Sequence, residues 1–400
     1  MWPTTKAASR RCRRPSTVES GSLRSILAAG VLALLLLGGC VGDEPAVPPT
    51  ELTPIDAEVT LSRRWGSSVE EAGRGRFRPL LEGELLVVAS GNGEVIAFDR
   101  RSGARRWRTE LDTALASGVG GGEDALYVGS SDGVVHALEA RTGEPLWSAP
   151  MSSEILVAPV AAFGTVVVRS VDGRIAALEP DSGEERWSVS NTPPALTVTG
   201  YGRPLLLDGG VLIGLDDGRA LALTLEGGRT IWETVLSVPS GRSEIERLVD
   251  ADADPLVDRE GIYMVNHQGR AARLEPARGG VVWSVPMSST AGLALGGDRL
   301  VVVDEEDVLH ALERESGREL WTSEALRGRR LSPPAVLVDA GVALVGDLEG
   351  YLHAVSLEDG VLVGRTRAAK EPITARPLVD DATVYVQSES GRVSAHGVAR

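Results

Sequence analysis

The chain has 400 residues, 41 of them basic and 56 acidic, for a net charge of −15, and it contains only two cysteines. So acidic a surface repels nucleic acid and anionic lipid headgroups. Two cysteines are too few for a fold built on disulfides.

The first residues read as an export signal. Arg10, Arg11, Arg13, Arg14 and Arg24 make a basic start, followed by a twelve-residue apolar run from Ile26 to Leu37. A helix needs about 20 residues to cross a hydrocarbon core, so the run suits a cleaved signal better than a membrane span. It ends in Leu37-Gly38-Gly39-Cys40, which resembles the lipobox of bacterial lipoproteins. By that resemblance residues 1–39 are a signal peptide and Cys40 carries the lipid. Val41, rather than Asp, follows the cysteine, as in lipoproteins sent on to the outer membrane. Cleavage would remove six basic residues and one acidic one, leaving 35 against 55 and a net charge of −20. It would also leave Cys40 as the sole thiol. Residues 40–56, rich in Pro and polar side chains, read as an extended tether.

From residue 57 to 400 the chain repeats itself. Gly103, Gly143, Gly183, Gly228, Gly279 and Gly317 each stand four residues before a tryptophan: Trp107, Trp147, Trp187, Trp232, Trp283 and Trp321. A seventh copy keeps Gly360 but has Gly364 in the tryptophan position. About ten residues before each of these glycines lies another turn, with a glycine in every case but one, where Asp307 stands in. Short apolar runs separated by Asp-Gly and Ser-Gly read as hairpins, because Gly accepts the positive φ of tight turns. Four strands per unit at a period of 38 to 51 residues predict an all-β fold, a β-propeller of four-stranded antiparallel blades. The last unit has only three strands, and a strand near Glu58–Gly66, carrying Trp65, has no unit of its own. If that N-terminal strand completes the last blade, the ring closes with eight blades and leaves no open edge.

Signs of catalysis are sparse. The repeat resembles that of pyrroloquinoline-quinone propellers, some of which are calcium-dependent alcohol dehydrogenases. That family's cofactor site needs a vicinal disulfide, which a single mature cysteine cannot form, so the resemblance implies an envelope quinoprotein oxidoreductase only as the alternative. His136, His310 and His353 share one position in three repeats. Equivalent positions of separate blades stand too far apart for a metal with bonds near 2 Å. Asp250, Asp252 and Asp254 have the alternate spacing that opens a calcium loop, but Pro255 stands where its Gly belongs and Gly261 where its Glu belongs. No cofactor, no metal and no enzyme activity are expected.

Two blade-to-blade connections are long. Ordinary repeats use twelve to fourteen residues from the tryptophan position to the next blade's proline. Trp187 to Pro204 takes seventeen, and Trp232 to Pro255 takes twenty-three. They are consecutive and leave the same end of the ring. Long loops on a rigid scaffold usually carry function. Apolar Leu196, Val198 and Leu248 beside Arg247, Asp250 and Asp252 suit a protein–protein contact, with neither carboxylate expected in the blade core.

Lipobox, tether, eight degenerate repeats, "EIERLVDADADP" (residues 244–255) and "GDLEGYLH" (residues 346–353) together resemble the BamB family of outer-membrane assembly lipoproteins. The resemblance covers the whole chain. It implies a scaffold on the periplasmic face of the outer membrane, within the β-barrel assembly (BAM) complex, with unfolded outer-membrane proteins as clients. It further implies that the aspartates matching the family's, Asp250 and Asp252, and the segment with Leu196 and Val198 face the POTRA domains of BamA. Thr199 stands where the family has Arg, which removes one charged contact from that surface.

Overall fold

The computed structural model describes residues 48–400 apart from 71–76, 123, 195, 198–201, 239–241, 244–247 and 251–252. Its described strands make eight four-stranded antiparallel sheets. Seven sheets are consecutive hairpins. Blade 1, for example, runs from the inner strand Leu80–Glu82 through Leu85–Ala89 and Glu94–Asp99 to the outer strand Arg105–Glu110. The eighth is completed as predicted: Thr60–Ser68 pairs antiparallel with Arg392–Ala399 and becomes the outer strand of the last blade. The protein is an eight-bladed β-propeller closed by its N-terminal strand.

The repeated glycine and tryptophan act across blades, not within one. Trp107 of blade 1 lies on Gly143 of blade 2, and the same relation recurs from Trp147 to Gly183, Trp187 to Gly228, Trp232 to Gly279, Trp283 to Gly317 and Trp321 to Gly360. Trp65 of blade 8 lies on Gly103 of blade 1. A methyl group on any of these glycines would meet the indole at 2.4–2.7 Å, a separation no carbon pair tolerates. Each indole Nε1–H also donates to a backbone carbonyl of the next blade at 2.7–3.1 Å. A tryptophan so placed buries a large apolar ring and satisfies its one polar atom at once.

Local structure aims the ring. A β-bulge falls beside each of the six tryptophans that follow a repeat glycine, for instance between Ala97 and Phe98 opposite Trp107. Bulges turn a strand and redirect its side chains. The residue paired with the tryptophan is small in five of those blades: Ala97, Ala137, Ala177, Ala222 and Ala311.

The one seam without a tryptophan has another filler. Gly364 packs against the Val59 carbonyl, and the Glu58 and Val59 amides both donate to the Val363 carbonyl at 2.9 Å. Gly364 replaces tryptophan where the incoming chain itself occupies the seam.

The turn residues need one correction. Asp307 does replace a turn glycine, at φ 64°, and its carboxylate accepts the Arg330 and Leu331 amides, both at 2.7 Å. In blade 5, however, Gln268 and not Gly269 takes the left-handed position, at φ 44°.

Candidate docking face

In this topology the connections between blades, and the turns between the second and third strands of each blade, lie at one end of the ring. The long connections therefore share an end with loops of ordinary length, and they leave it from adjacent blades. The first joins the outer strand Glu185–Ser190 to the inner strand Leu205–Leu207, and the second joins Thr230–Val235 to Leu256–Val257.

Leu196 on the first connection is 50% exposed, and Val238 at the start of the second is 73% exposed. Val238 had no distinguishing signal in the sequence beyond lying in the long segment. Leu248 is half-buried. Val198, Arg247 and Asp252, like the lipidation candidate Cys40, fall outside the described residues.

Asp250 departs from expectation. It is fully buried, and its backbone carbonyl accepts the His267 amide at 2.9 Å. His267 lies in the turn between the second and third strands of blade 5. Asp250 thus fastens the long connection to the blade it is about to enter, with its neighbour Val249 buried as well. The sequence reading placed Asp250 outside the blade core on the contact surface, and its burial corrects that. Asp254 turns to an arginine, Arg78, with which it forms an ion pair.

Below the first connection the two blades are joined by charge. Arg169 of blade 3, almost fully buried, donates to the Gly214 carbonyl at 2.9 Å and to Asp216 of blade 4 at 2.5 Å. Asn191, Pro193 and Pro194 of the connection line a narrow cleft over this pair. The platform under the loop is therefore cross-braced.

The segment with "GDLEGYLH" forms a buried polar hub in blade 7. Asp347, fully buried, accepts the Glu349 and Tyr351 amides at 2.9 Å, His353 Nε2 at 2.9 Å and Arg329 Nε at 2.8 Å. Burial alone would raise the Asp347 carboxyl, but the His353 and Tyr351 hydrogen bonds, with Arg329 beside them, hold it below its ordinary value. Two of the three histidines at the shared position serve their own blades: His310 pairs with Asp304 at 3.1 Å, as His353 does with Asp347. Arg329 also donates to the Thr50 carbonyl at 2.9 Å, and Thr50 donates through its amide and hydroxyl to the Arg327 carbonyl at 2.9 Å. Arg365 reaches the Thr53 carbonyl at 3.0 Å, and Leu52 packs on the core between blades 6 and 7. The last part of the segment read as a tether is strapped to the ring.

The sequence pattern described as outer membrane protein assembly factor BamB matches residues 57–114 and 91–323. An assembly factor BamB of Pseudomonas aeruginosa is 45% identical over 371 residues, 92% of this chain and 97% of the relative. The chain belongs to the BamB family. The BamB of Escherichia coli K12 is 32% identical over 390 residues, covering 93% of this chain and 98% of the relative. The crystal structure of BamB from Moraxella catarrhalis superposes with a TM-score of 0.78 at 26% identity, covering 84% of this chain and 99% of that one. A quinohemoprotein alcohol dehydrogenase from Comamonas testosteroni also matches, with a TM-score of 0.69 at 14% identity over 85% of this chain and 77% of its own. That likeness is one of fold alone. BamB relatives are assembly factors, so the family is not one of enzymes.

Proposed function

We propose that this protein is a scaffold of the β-barrel assembly machinery at the outer membrane, tethered through a lipid on Cys40 and facing the periplasm. In this reading residues 1–39 are removed on export, residues 40–56 connect lipid to ring, and residues 57–400 are the working part. The two long connections hold the POTRA domains of BamA, and unfolded outer-membrane proteins are the clients of the assembled complex.

The observation that carries the reading is the pairing of the two longest connections on adjacent blades, each presenting an exposed aliphatic side chain, Leu196 and Val238, above a cross-braced platform. Apolar side chains set among polar ones on a rigid support are what a docking surface needs. In the same reading Val198, Arg247, Leu248 and Asp252 are assigned to the contact from the sequence, and buried Asp250 braces it. The oxidoreductase alternative has only the propeller architecture in its favour.

Binding to the isolated POTRA domains of BamA tests the proposal. Interface energy concentrates in few residues, so Leu196→Ser with Val238→Ser should weaken binding at least about tenfold, a loss of ~1.4 kcal/mol. Glu144→Ala with Glu184→Ala, in exposed turns at the opposite end, should leave it unchanged. Folded loop variants that bind as tightly as the parent overturn the docking assignment.

A further inference from the structure

The inner strand of each blade starts at the docking end of the ring. In seven blades the residue two positions ahead of that strand is Arg78, Gly118, Ala158, Arg203, Asp254, Pro333 or Arg376. The four charged ones are each followed by a proline, which fixes the backbone as it enters the blade. They belong to blades 1, 4, 5 and 8. Blades 1 and 5 stand four steps apart in a ring of eight, so they face each other across the axis. Arg78 of blade 1 and Asp254 of blade 5 nonetheless form an ion pair. Such a pair spans the mouth of the axial channel.

The other two arginines converge on the same place. The Arg203 amide donates to Asp254 Oδ1 at 2.9 Å. An Nη of Arg376 reaches to 3.8 Å from where a side chain on Gly292, in blade 6, would begin. Three guanidinium groups therefore gather around one carboxylate. Burial alone would raise the Asp254 carboxyl, but Arg78, Arg376 and Arg203 hold it well below the usual range. The converse strain falls on the arginines: burial, with the Arg78 charge adding to it, brings Arg376 down to about 10, and burial lowers Arg203.

Asp254 is taken by Arg78 and the Arg203 amide. Nε of Arg203 and both Nε and one Nη of Arg376 are shut off from solvent without a hydrogen-bond partner among the described residues. Neither arginine has an ion pair there. Enclosed guanidinium N–H groups are costly to leave unmatched, and here they sit in a chain whose net charge is −15. The arrangement keeps two positive charges in excess and leaves unmatched donors on arginines from two opposite blades.

We propose that this axial cluster is an oxyanion-binding site, built to take a phosphate or carboxylate group between Arg203 and Arg376. A guanidinium presents its donors as a planar fork that matches two oxygens of such a group, and two forks from blades 4 and 8 grip it from two sides. Asp254 sets the limit on affinity, because its charge acts on both Arg203 and Arg376 and repels an incoming anion. The site lies at the same end as the docking loops but stands independently of what those loops bind.

Thermal melts of the exported chain at pH 7.5 in sodium phosphate, sodium acetate and sodium chloride of equal ionic strength test it, with calorimetric titration of inorganic phosphate beside them. Phosphate or acetate should raise the melting temperature above that in chloride by roughly 2 °C once the anion is well above its Kd. Phosphate ahead of acetate marks a phosphoryl ligand, and the reverse marks a carboxylate. The difference should vanish in Arg376→Met and in Arg203→Met. Asp254→Asn should do the opposite and tighten phosphate binding about tenfold, equivalent to ~1.4 kcal/mol, which keeps the test decisive if an arginine variant fails to fold. Equal melting of the parent in all three salts overturns the site. So does an anion effect that persists in both arginine variants or weakens in Asp254→Asn.

Discussion

The indole Nε1–H of Trp65 donates to the carbonyl of Arg100 at 2.9 Å, across the seam where the blade completed by the N-terminal strand meets the first complete blade. The same ring touches Phe98 and Tyr385, with centroids 6.3 Å and 6.2 Å away. One side chain therefore ties residues near both ends of the propeller. Trp65→Ala should cost about 3 kcal/mol, and deleting residues 57–66 should cost more, because it also opens an edge. Thermal unfolding followed by circular dichroism reads both. An unchanged melting temperature in the deletion would rule out closure by this strand.

The seam glycines separate two physical effects. Gly360 has φ 75°, and a methyl group added to it would sit 2.6 Å from the Trp321 ring, whereas Gly83 has φ 53° with nothing within 4 Å of the same position. Gly83→Ala should cost about 1 kcal/mol, the strain of a left-handed non-glycine residue. Gly360→Ala adds a clash that must displace an indole, so it should cost roughly 2–4 kcal/mol. Equal losses in denaturant melts would show that the tryptophan is not held against the glycine.

Asp347→Ala should be among the most damaging single changes. It strips Arg329 Nε and His353 of their shared acceptor inside the protein. Removing one member of a buried ion pair typically costs about 3–5 kcal/mol. Arg329→Met with Asp347→Leu, which replaces the charges together, should recover part of the loss in the same unfolding assay. No recovery would mean that the hub acts through its backbone bonds to Glu349 and Tyr351 alone.

Acid should weaken the ring through His396. This residue is fully buried beside Ser394, at 2.9 Å, and burial, with the Arg63 charge adding to it, pushes it down to about 4. The unfolded chain binds a proton near pH 6.5 that the folded chain refuses until about pH 4. The stability linked to His396 is therefore complete above pH 6.5 and is lost as pH falls through that window, by about 3 kcal/mol in all. His396→Gln should flatten the dependence of unfolding free energy on pH between about 6 and 4.5 by ~1.4 kcal/mol per pH unit. An unaltered slope would assign the acid sensitivity to other groups.

Much of this architecture was legible because it repeats. Gly103 to Gly360 and Trp107 to Trp321 give the blade period, and Trp65 outside any unit gives the closure. What the sequence did not disclose was direction. A glycine four residues before a tryptophan looks like one local device, yet each Trp contacts the glycine of the following blade. Nor does spacing reveal burial. Asp250 and Asp254 belong to one run of alternating aspartates that gives no sign of different surroundings. The fold buries the one and aims the other at arginines 176 and 51 residues away in the chain. Those partners are adjacent only once the ring exists.

The strap at residues 50–59 makes the ring tolerant of pulling. Force arriving from the N-terminal side meets Thr50 first, held by Arg327 and Arg329, then Thr53 on Arg365, then Glu58 and Val59 on Val363. All of these holdfasts are on blade 7 or the connection that enters it. The ladder from Thr60 to Ser68 that shuts the circle lies beyond them. A tug is thus spent on an intact blade before it reaches the one joint whose failure would unroll the whole barrel of sheets, much as a clamp on a cable protects the soldered contact behind it.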